Sequence, residues 1–122
     1  MRAIVFFVLV MVSPFAFANS RTVKCDESKI ATIYIRPNFG TVINFPIKPD
    51  NVLLGSTKQF SVEYIKNDIA LTALSSSART NMFVYLFGRR CAFALTTSLS
   101  RFDTVVRVQD PDESKIRVKI NE

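Results

Sequence analysis

Histidine and tryptophan are absent from this 122-residue sequence, and glycine and cysteine are scarce, with three and two residues. Because histidine is the commonest general base and metal ligand, its absence excludes Ser-His-Asp triads, Cys-His dyads and ordinary zinc sites. Acidic residues are outnumbered, at 10 against 16 lysines and arginines, which gives a formal net charge of +6. The hydrophobic fraction of 48% is too high for a disordered chain, and the length suits one small domain.

The amino terminus has the form of a secretory signal peptide. Arg2 supplies a positive start, residues 3–12 form an apolar run, and Ala-Phe-Ala at positions 16–18 fits the small-x-small pattern of a signal-peptidase site. The apolar run is ten residues long, whereas a membrane-spanning helix needs about 20. We therefore predict a signal peptide over residues 1–18 and a mature chain, residues 19–122, without a transmembrane helix. Its predicted location is the periplasm, with secretion beyond it as the alternative.

The two cysteines, Cys25 and Cys91, both lie in the predicted mature chain. An even number of cysteines in an oxidising compartment favours pairing, so we predict a Cys25–Cys91 disulfide. The alternative is two buried and unlinked thiols. The bridge would close a loop of 91 − 25 = 66 positions, for which the chain-entropy relation gives roughly 4 kcal/mol as an upper value.

Short runs of β-branched and aromatic residues with a period of two predict an all-β fold. The predicted strands cover residues 31–36, 41–45, 52–54, 58–65, 69–73, 81–87, 90–97, 104–109 and 115–120. A turn-forming cluster at positions 37–40 suggests that the first two strands form a hairpin, and residues 74–79 are read as a loop. This spacing favours a single small β-sandwich of about eight to nine short, mostly antiparallel strands over residues 19–122, with a partly closed barrel as the alternative.

Several aromatic side chains in the predicted strands are assigned to the core, since aromatic residues more often pack inside than form ligand platforms. They are Phe60, Tyr64, Phe83, Tyr85, Phe87 and Phe93. In the strand at residues 90–97, Cys91 shares a face with Phe93 and Leu95, which predicts that this cysteine points into the core.

No residue pattern in the sequence predicts a catalytic, cofactor-binding or metal site. No serine has a lysine three positions later, which removes the usual histidine-free serine nucleophile. The acidic residues at positions 110, 112 and 113 lack the spacing and glycine of an EF-hand loop and are read as a solvated turn. We therefore expect no enzymatic activity and no cofactor.

Positive charge is concentrated toward the carboxyl terminus. Five residues are candidates for a partner-binding basic face: Arg89, Arg90, Arg107, Arg117 and Lys119. Such a face would meet an acidic protein, anionic lipid headgroups or an envelope polyanion. Nucleic acid is not expected, because the chain is predicted to be exported and carries no aromatic-basic RNA-binding motif. The alternative interpretation is solvated strand faces and protection of sheet edges by charge.

One segment, residues 41–95, carries a family-like pattern. A strand at residues 41–45 precedes the turn at residues 52–55, and Thr80-Asn81 opens a strand that leads through an arginine-containing turn to an aromatic strand. Thr80 and Asn81 are the most distinctive positions. This pattern resembles the amino-terminal β-sandwich domain of the VirB9/TrbG/CagX family, periplasmic subunits of the type IV secretion core complex. In that family tyrosine often occupies the position of Cys91, and a further carboxyl-terminal domain follows.

The resemblance implies a non-enzymatic role in which subunits assemble by protein contact. Our leading prediction is a periplasmic structural subunit of an envelope secretion, conjugation or pilus-like complex. Its partners would be protein components of that cell-envelope assembly, and a homo-oligomer within the assembly is compatible with this role. The second hypothesis is a secreted or periplasmic binding or inhibitor module that uses its basic face on an acidic target.

Overall fold

The computed structural model describes residues 20–110, which form nine β-strands in two sheets. The predicted signal peptide and the predicted strand at residues 115–120 lie outside the described residues. Within the described range there is no helix that is long and apolar enough to cross a membrane. The strands are β1 (Ser20–Lys24), β2 (Ile30–Ile35), β3 (Gly40–Asn44), β4 (Asn51–Leu54), β5 (Phe60–Ile65), β6 (Asp68–Ala73), β7 (Arg79–Leu86), β8 (Arg89–Thr97) and β9 (Val105–Gln109).

The two sheets face each other as a small sandwich, which confirms the predicted fold class. The five-stranded sheet has the order β1-β9-β3-β6-β5, and the four-stranded sheet has the order β2-β8-β7-β4. Both sheets are mixed. Four of the seven strand pairings are antiparallel, and three, β1 with β9, β2 with β8 and β3 with β9, are parallel. Antiparallel pairing therefore predominates by one pair.

The core lies between the sheets and is built from alternate residues of the strands. Ile69 and Leu71 of β6 are buried, and so are Phe93 and Leu95 of β8. At the centre, the ring of Phe45, directly after β3, meets the ring of Phe93 edge to face with centroids 6.2 Å apart. The predicted period of two is thus confirmed in the strands that supply the core.

The predicted hairpin between the strands at residues 31–36 and 41–45 is wrong. β2 belongs to the four-stranded sheet and β3 to the five-stranded sheet, so the turn between them carries the chain across the sandwich. Each strand is amphipathic, with Ile33 buried in one and Ile43 in the other. Placing the strands in opposite sheets buries both apolar faces. β2 then pairs with β8, and β3 pairs with β6 on one edge and with β9 on the other. The loop predicted at residues 74–79 is confirmed as far as residue 78, since β7 begins at Arg79.

β1 is a strand that the sequence pattern did not predict. Its inward side chains are Arg21 and Val23, opposite the buried Val106 and Val108 of β9. Arg21 is accommodated because its guanidinium forms a bidentate ion pair with Asp103: Nε donates to Oδ1 at 2.9 Å and Nη2 donates to Oδ2 at 3.1 Å. An inward arginine breaks the apolar alternation by which strands are recognised.

Polar and covalent links join the sheets at both ends of β1. At its start, Asp103 pairs with Arg21 of the five-stranded sheet and accepts the Tyr34 N–H of β2 at 3.0 Å. Just past its end, Cys25 is bonded to Cys91 of β8, which confirms the predicted disulfide and its inward direction. The Cα atoms of the cysteines are 5.1 Å apart, within the usual range for a bridge. β1 is therefore an edge strand that is fixed to the opposite sheet.

Candidate interaction surface

Apolar side chains cross the outer face of the four-stranded sheet in one continuous row. The strand register places Ile30 beside Ala92, Ala92 beside Phe83, and Phe83 beside Leu53, so that each of the four strands contributes one residue. We call these four residues the apolar row. Ile30 is 70% exposed and Leu53 is 58% exposed, although both occupy sheet positions. Large apolar side chains aligned on an open sheet face are a common feature of protein interaction sites.

The hairpin between β7 and β8 adds two aromatic side chains at one end of this face. Tyr85, two positions after Phe83 and on the same side of β7, is 39% exposed, and Phe87 at the hairpin turn is 43% exposed. The turn is the two-residue segment Phe87-Gly88, with φ values of 52° and 70°. Both values are positive, as a type I′ turn requires, and asparagine or glycine normally fills the first position. A bulky residue in the left-handed region costs roughly 1–2 kcal/mol, so Phe87 is poorly suited to its turn.

Two arginines lie on the same face as the apolar row. Arg90 stands directly opposite Tyr85, and Arg79 lies six residues before Tyr85 on β7, roughly 20 Å along the strand at about 3.4 Å per residue. Both side chains are exposed, and among residues 20–110 neither forms an ion pair. The outward positions of β2, β4, β7 and β8 contain no aspartate or glutamate. The face therefore combines apolar area with two exposed arginines that form no ion pair within residues 20–110.

The arginines of the predicted basic face lie on different surfaces. Arg90 points outward from the four-stranded sheet, whereas Arg107 points outward from the five-stranded sheet on the opposite side of the sandwich. Arg89 is on the inward side of β8 and reaches Asp110, with Nη1 3.5 Å from Oδ1. Arg117 and Lys119 lie outside the described residues. The three described arginines thus do not share a face, because neighbouring residues of a strand alternate and the two sheets point in opposite directions.

Thr80 and Asn81, the distinctive residues of the family-like pattern, contact Gly55 at the end of β4. The Gly55 N–H donates to the Asn81 carbonyl at 2.8 Å. A Cβ on Gly55 would lie 2.6 Å from Thr80 Oγ1 and 3.2 Å from the Asn81 carbonyl oxygen, and it would also clash with Asn81 Oδ1. Glycine is favoured here because a larger residue would displace the Thr80 and Asn81 side chains and crowd the Asn81 carbonyl. These residues have a structural role at one end of the outer face.

A shallow groove of about 330 Å³ continues the apolar surface toward the disulfide. It is lined by Ile30 and Ala92 of the apolar row, by Val23 and Phe93, and by the charged residues Lys24, Asp26 and Lys29. Within the described part of the chain, no three His, Cys, Asp or Glu side chains are grouped to hold a metal ion. This groove offers apolar contact with charged groups of both signs at its border, two lysines and one aspartate.

The one described carboxyl group with a clearly shifted pKa lies in the turn before β2. Hydrogen bonds from the Ser28 hydroxyl and the Ser28 N–H, at 2.6 and 2.9 Å, hold the pKa of Asp26 below its usual value of 3.8, and the charge of Lys29 adds to this. The carboxylate stays ionised at neutral pH, as expected for one that accepts local hydrogen bonds. It therefore acts as a turn-stabilising acceptor.

Sequence reasoning missed the outward aromatic residues of this surface. Phe60 and Phe93 are in the core as predicted, but Tyr64, Tyr85 and Phe87 are exposed, and Phe83 is half-buried. In β7, Phe83 and Tyr85 alternate with the buried Met82, Val84 and Leu86. A strand in which both sets of alternate residues are apolar is compatible with burial on both faces, and nothing in the sequence shows that one face is left uncovered. A scan against protein-family models found no match to this chain, and a search of curated proteins found none.

Proposed function

We propose that this chain is an exported, non-enzymatic structural subunit that acts by protein contact in a cell-envelope secretion, conjugation or pilus-like assembly. The observation that carries the proposal is the outer face of the four-stranded sheet, where an apolar row crosses all four strands, with Ile30 and Leu53 exposed and Phe83 and Ala92 half-buried. A subunit that packs against another protein through this face buries the row.

Export is supported by two independent features. Residues 1–18 have the composition of a signal peptide. The chain also contains a disulfide that joins the two sheets, and such bonds persist in the periplasm or outside the cell. Both features fit a location in the periplasm, with secretion as the alternative.

The type of assembly is suggested by the resemblance to the VirB9/TrbG/CagX family. The positions that carry the resemblance lie together, since Gly55 of the first turn packs against Thr80 and Asn81 of the later strand. This packing supplies a physical reason for the three residue types to occur together. A protein with this role needs no nucleophile or general base, in keeping with a sequence that lacks histidine.

The test is capture of partners by crosslinking in intact cells of the source organism, with an affinity tag on the full-length chain. We expect envelope-assembly proteins to be recovered, and mass spectrometry of the captured chain to show cleavage after Ala18 and an oxidised Cys25–Cys91 pair. The matched control is the same chain without residues 1–18, which should stay in the cytoplasm and recover none of these partners. Repeated captures without any envelope-assembly component, or a native chain with an intact leader and free thiols, would refute the proposal.

A further inference from the structure

We infer that the outer face of the four-stranded sheet binds an acidic, amphipathic protein segment, whose apolar side chains cover the apolar row and whose carboxylates pair with Arg79 and Arg90. This inference rests on the proposed function, because it specifies the contact surface and the chemistry of a partner in the assembly. The proposed occupant is a protein segment. The competing occupants are an anionic membrane and a second copy of this chain.

The distribution of charge is the first argument for this occupant. Arg90 lies two positions from Ala92 on one side of the apolar row, and Arg79 lies four positions from Phe83 on the other side. The outward positions of the sheet contain no carboxylate. A face-to-face dimer would bring the guanidinium groups of two copies onto one interface, which opposes self-association through this face. A partner with carboxylates beside apolar residues satisfies both features, and arginine is well suited to hold carboxylates through paired hydrogen bonds.

The shape of the face is the second argument. Ala92 and Ala94, the outward residues at the middle of β8, are small, whereas Phe83 and Leu53 on one side and Ile30 on the other are large. The outer face is therefore low at Ala92, between the larger Ile30 and Phe83, whereas Ala94 is flanked by Thr32 and Asn81. A side chain of a bound segment can enter between Ile30 and Phe83, as alternate side chains of an extended peptide enter pockets on a sheet.

The backbone of Phe87 is the third argument, and it is independent of charge. An exposed aromatic residue occupies a left-handed position where asparagine or glycine would be more stable. Side chains that disfavour their own backbone conformation are concentrated at functional sites. Phe87 lies two residues beyond Tyr85, at the Arg90 end of the face, where it can extend the contact with a bound segment.

The inference is tested with the purified mature chain, residues 19–122, and two synthetic peptides in which leucine and phenylalanine alternate with glutamate or, in the matched control, with lysine. We expect the glutamate peptide to shift amide NMR signals of β2, β4, β7 and β8, with affinity that falls as salt is added. The lysine peptide should bind at least about tenfold more weakly, the ratio that corresponds to losing one significant contact. Equal binding of the two peptides, no binding of the glutamate peptide, or shifts centred on the five-stranded sheet would overturn the inference.

Variants with matched controls on the opposite sheet locate the site. Leu53→Ser and Arg90→Glu should each weaken binding of the glutamate peptide about tenfold. Ile65→Ser and Arg107→Glu, which make the same changes at exposed positions of the five-stranded sheet, should leave it unchanged. Phe87→Asn should also weaken binding while the thermal midpoint stays the same or rises, because it introduces the Asn-Gly pair that type I′ turns prefer. Loss of binding in the control variants to the same extent would overturn the inference.

Two further outcomes separate the competing occupants and the two proposals. If this face binds vesicles of phosphatidylglycerol and phosphatidylcholine more tightly than it binds the glutamate peptide, the face belongs to a membrane. If the protein dimerises and Leu53→Ser abolishes the dimer, the face belongs to a second copy. Either result overturns the inference. If cell crosslinking recovers the same assembly proteins with Leu53→Ser and Arg90→Glu, the inference fails while the proposed function stands. If the peptide binds as expected but no envelope component is captured, the proposed function fails while the inference stands.

Discussion

Removal of the Cys25–Cys91 bridge is expected to cause a large loss of stability for a domain of this size. The bridge closes a loop of 66 positions, and the chain-entropy relation assigns such a loop roughly 4 kcal/mol at 25 °C as an upper value. The total stability of small domains is about 5–15 kcal/mol, so the bridge would supply a substantial fraction of it. In a domain of this size, each kcal/mol of lost stability lowers the thermal midpoint by about 4–8 °C, so a loss of about 3 kcal/mol would lower it by roughly 12–24 °C.

The structure also predicts that β1 is the strand destabilised first when the bridge is removed. β1 is an edge strand that pairs with β9, and the residue just past its end is Cys25. Without the bridge, β1 keeps the β9 ladder and the Arg21–Asp103 ion pair, but it loses its covalent link to the four-stranded sheet. Amide hydrogen exchange in β1 should therefore accelerate more than exchange in β6 or β8, which are flanked by strands on both sides.

The assay is urea denaturation of the oxidised protein, the reduced protein and the double variant Cys25→Ala, Cys91→Ala. The reduced protein is the matched control, because it retains both sulfur atoms and separates the chain constraint from the loss of buried volume. Both cysteines are almost fully buried, at 4% and 1% exposure, so reduction of the native state by a thiol should be slow and should accelerate in moderate urea. A loss of less than 1 kcal/mol in both the reduced protein and the variant would refute this account of the bridge.

Three further predictions concern local contacts. Gly55→Val should destabilise the domain by about 1–3 kcal/mol, measured by thermal denaturation, because added atoms meet the neighbouring strand. A double-mutant cycle with Arg21→Ala and Asp103→Ala should give a coupling energy of about 1–2 kcal/mol, since the bidentate pair is partly buried. Ser28→Ala should raise the pKa of Asp26 toward 3.8, measured by NMR titration, because it removes the hydroxyl donor. As the folded-state pKa of Asp26 is lowered, its contribution to stability is present above the pKa of the unfolded state and is lost as the pH falls through the folded value.

Each of these predictions has a control or a contradicting result. Gly40→Ala is the control for the glycine variant, because a Cβ at that position is 4.0 Å from its nearest neighbour, the Leu71 carbonyl oxygen. If both glycine variants lose the same stability, close approach at Gly55 is not the cause. A coupling energy near zero would show that the Arg21–Asp103 pair contributes little beyond solvent-screened attraction. An unchanged pKa of Asp26 in Ser28→Ala would assign the shift to other groups.

Eight of the nine strands could be predicted from the sequence because each is a short run of strand-forming residues between turn-forming segments, and most of them alternate between inward and outward residues. β6 and β8 are examples, with Ile69 and Leu71 in one and Phe93 and Leu95 in the other, all buried as expected. The alternation fixes which residues share a face, so the sequence also predicted that Cys91 points inward. Pairing of strands that are distant in the chain was not predictable in this way, since amphipathic strands of similar length can exchange neighbours without losing their periodicity.

Of the candidate surface, the sequence singled out Arg90 but not the apolar row. Arg90 was recognised from the sequence as a basic residue available to a partner, but it was grouped with Arg107, which the two-sheet arrangement places on the opposite side. Phe83 and Tyr85 were assigned to the core because aromatic residues are usually buried. Exposure depends on whether another layer covers the sheet, and that is a property of the whole fold.

By itself, the sequence determined that this protein is built from short strands with a buried face, that its cysteines can form a single intramolecular bridge, and that histidine-dependent chemistry is excluded. These properties follow from composition and from a local period of two. Only the tertiary structure decided that β2 and β3 lie in opposite sheets, that Arg21 is an inward residue held by Asp103, and that one residue from each of four strands forms an apolar row on the outer face. The physical reason is that alternation fixes the direction of a side chain relative to its own strand, whereas neighbours, layers and exposure depend on contacts between residues far apart in the chain.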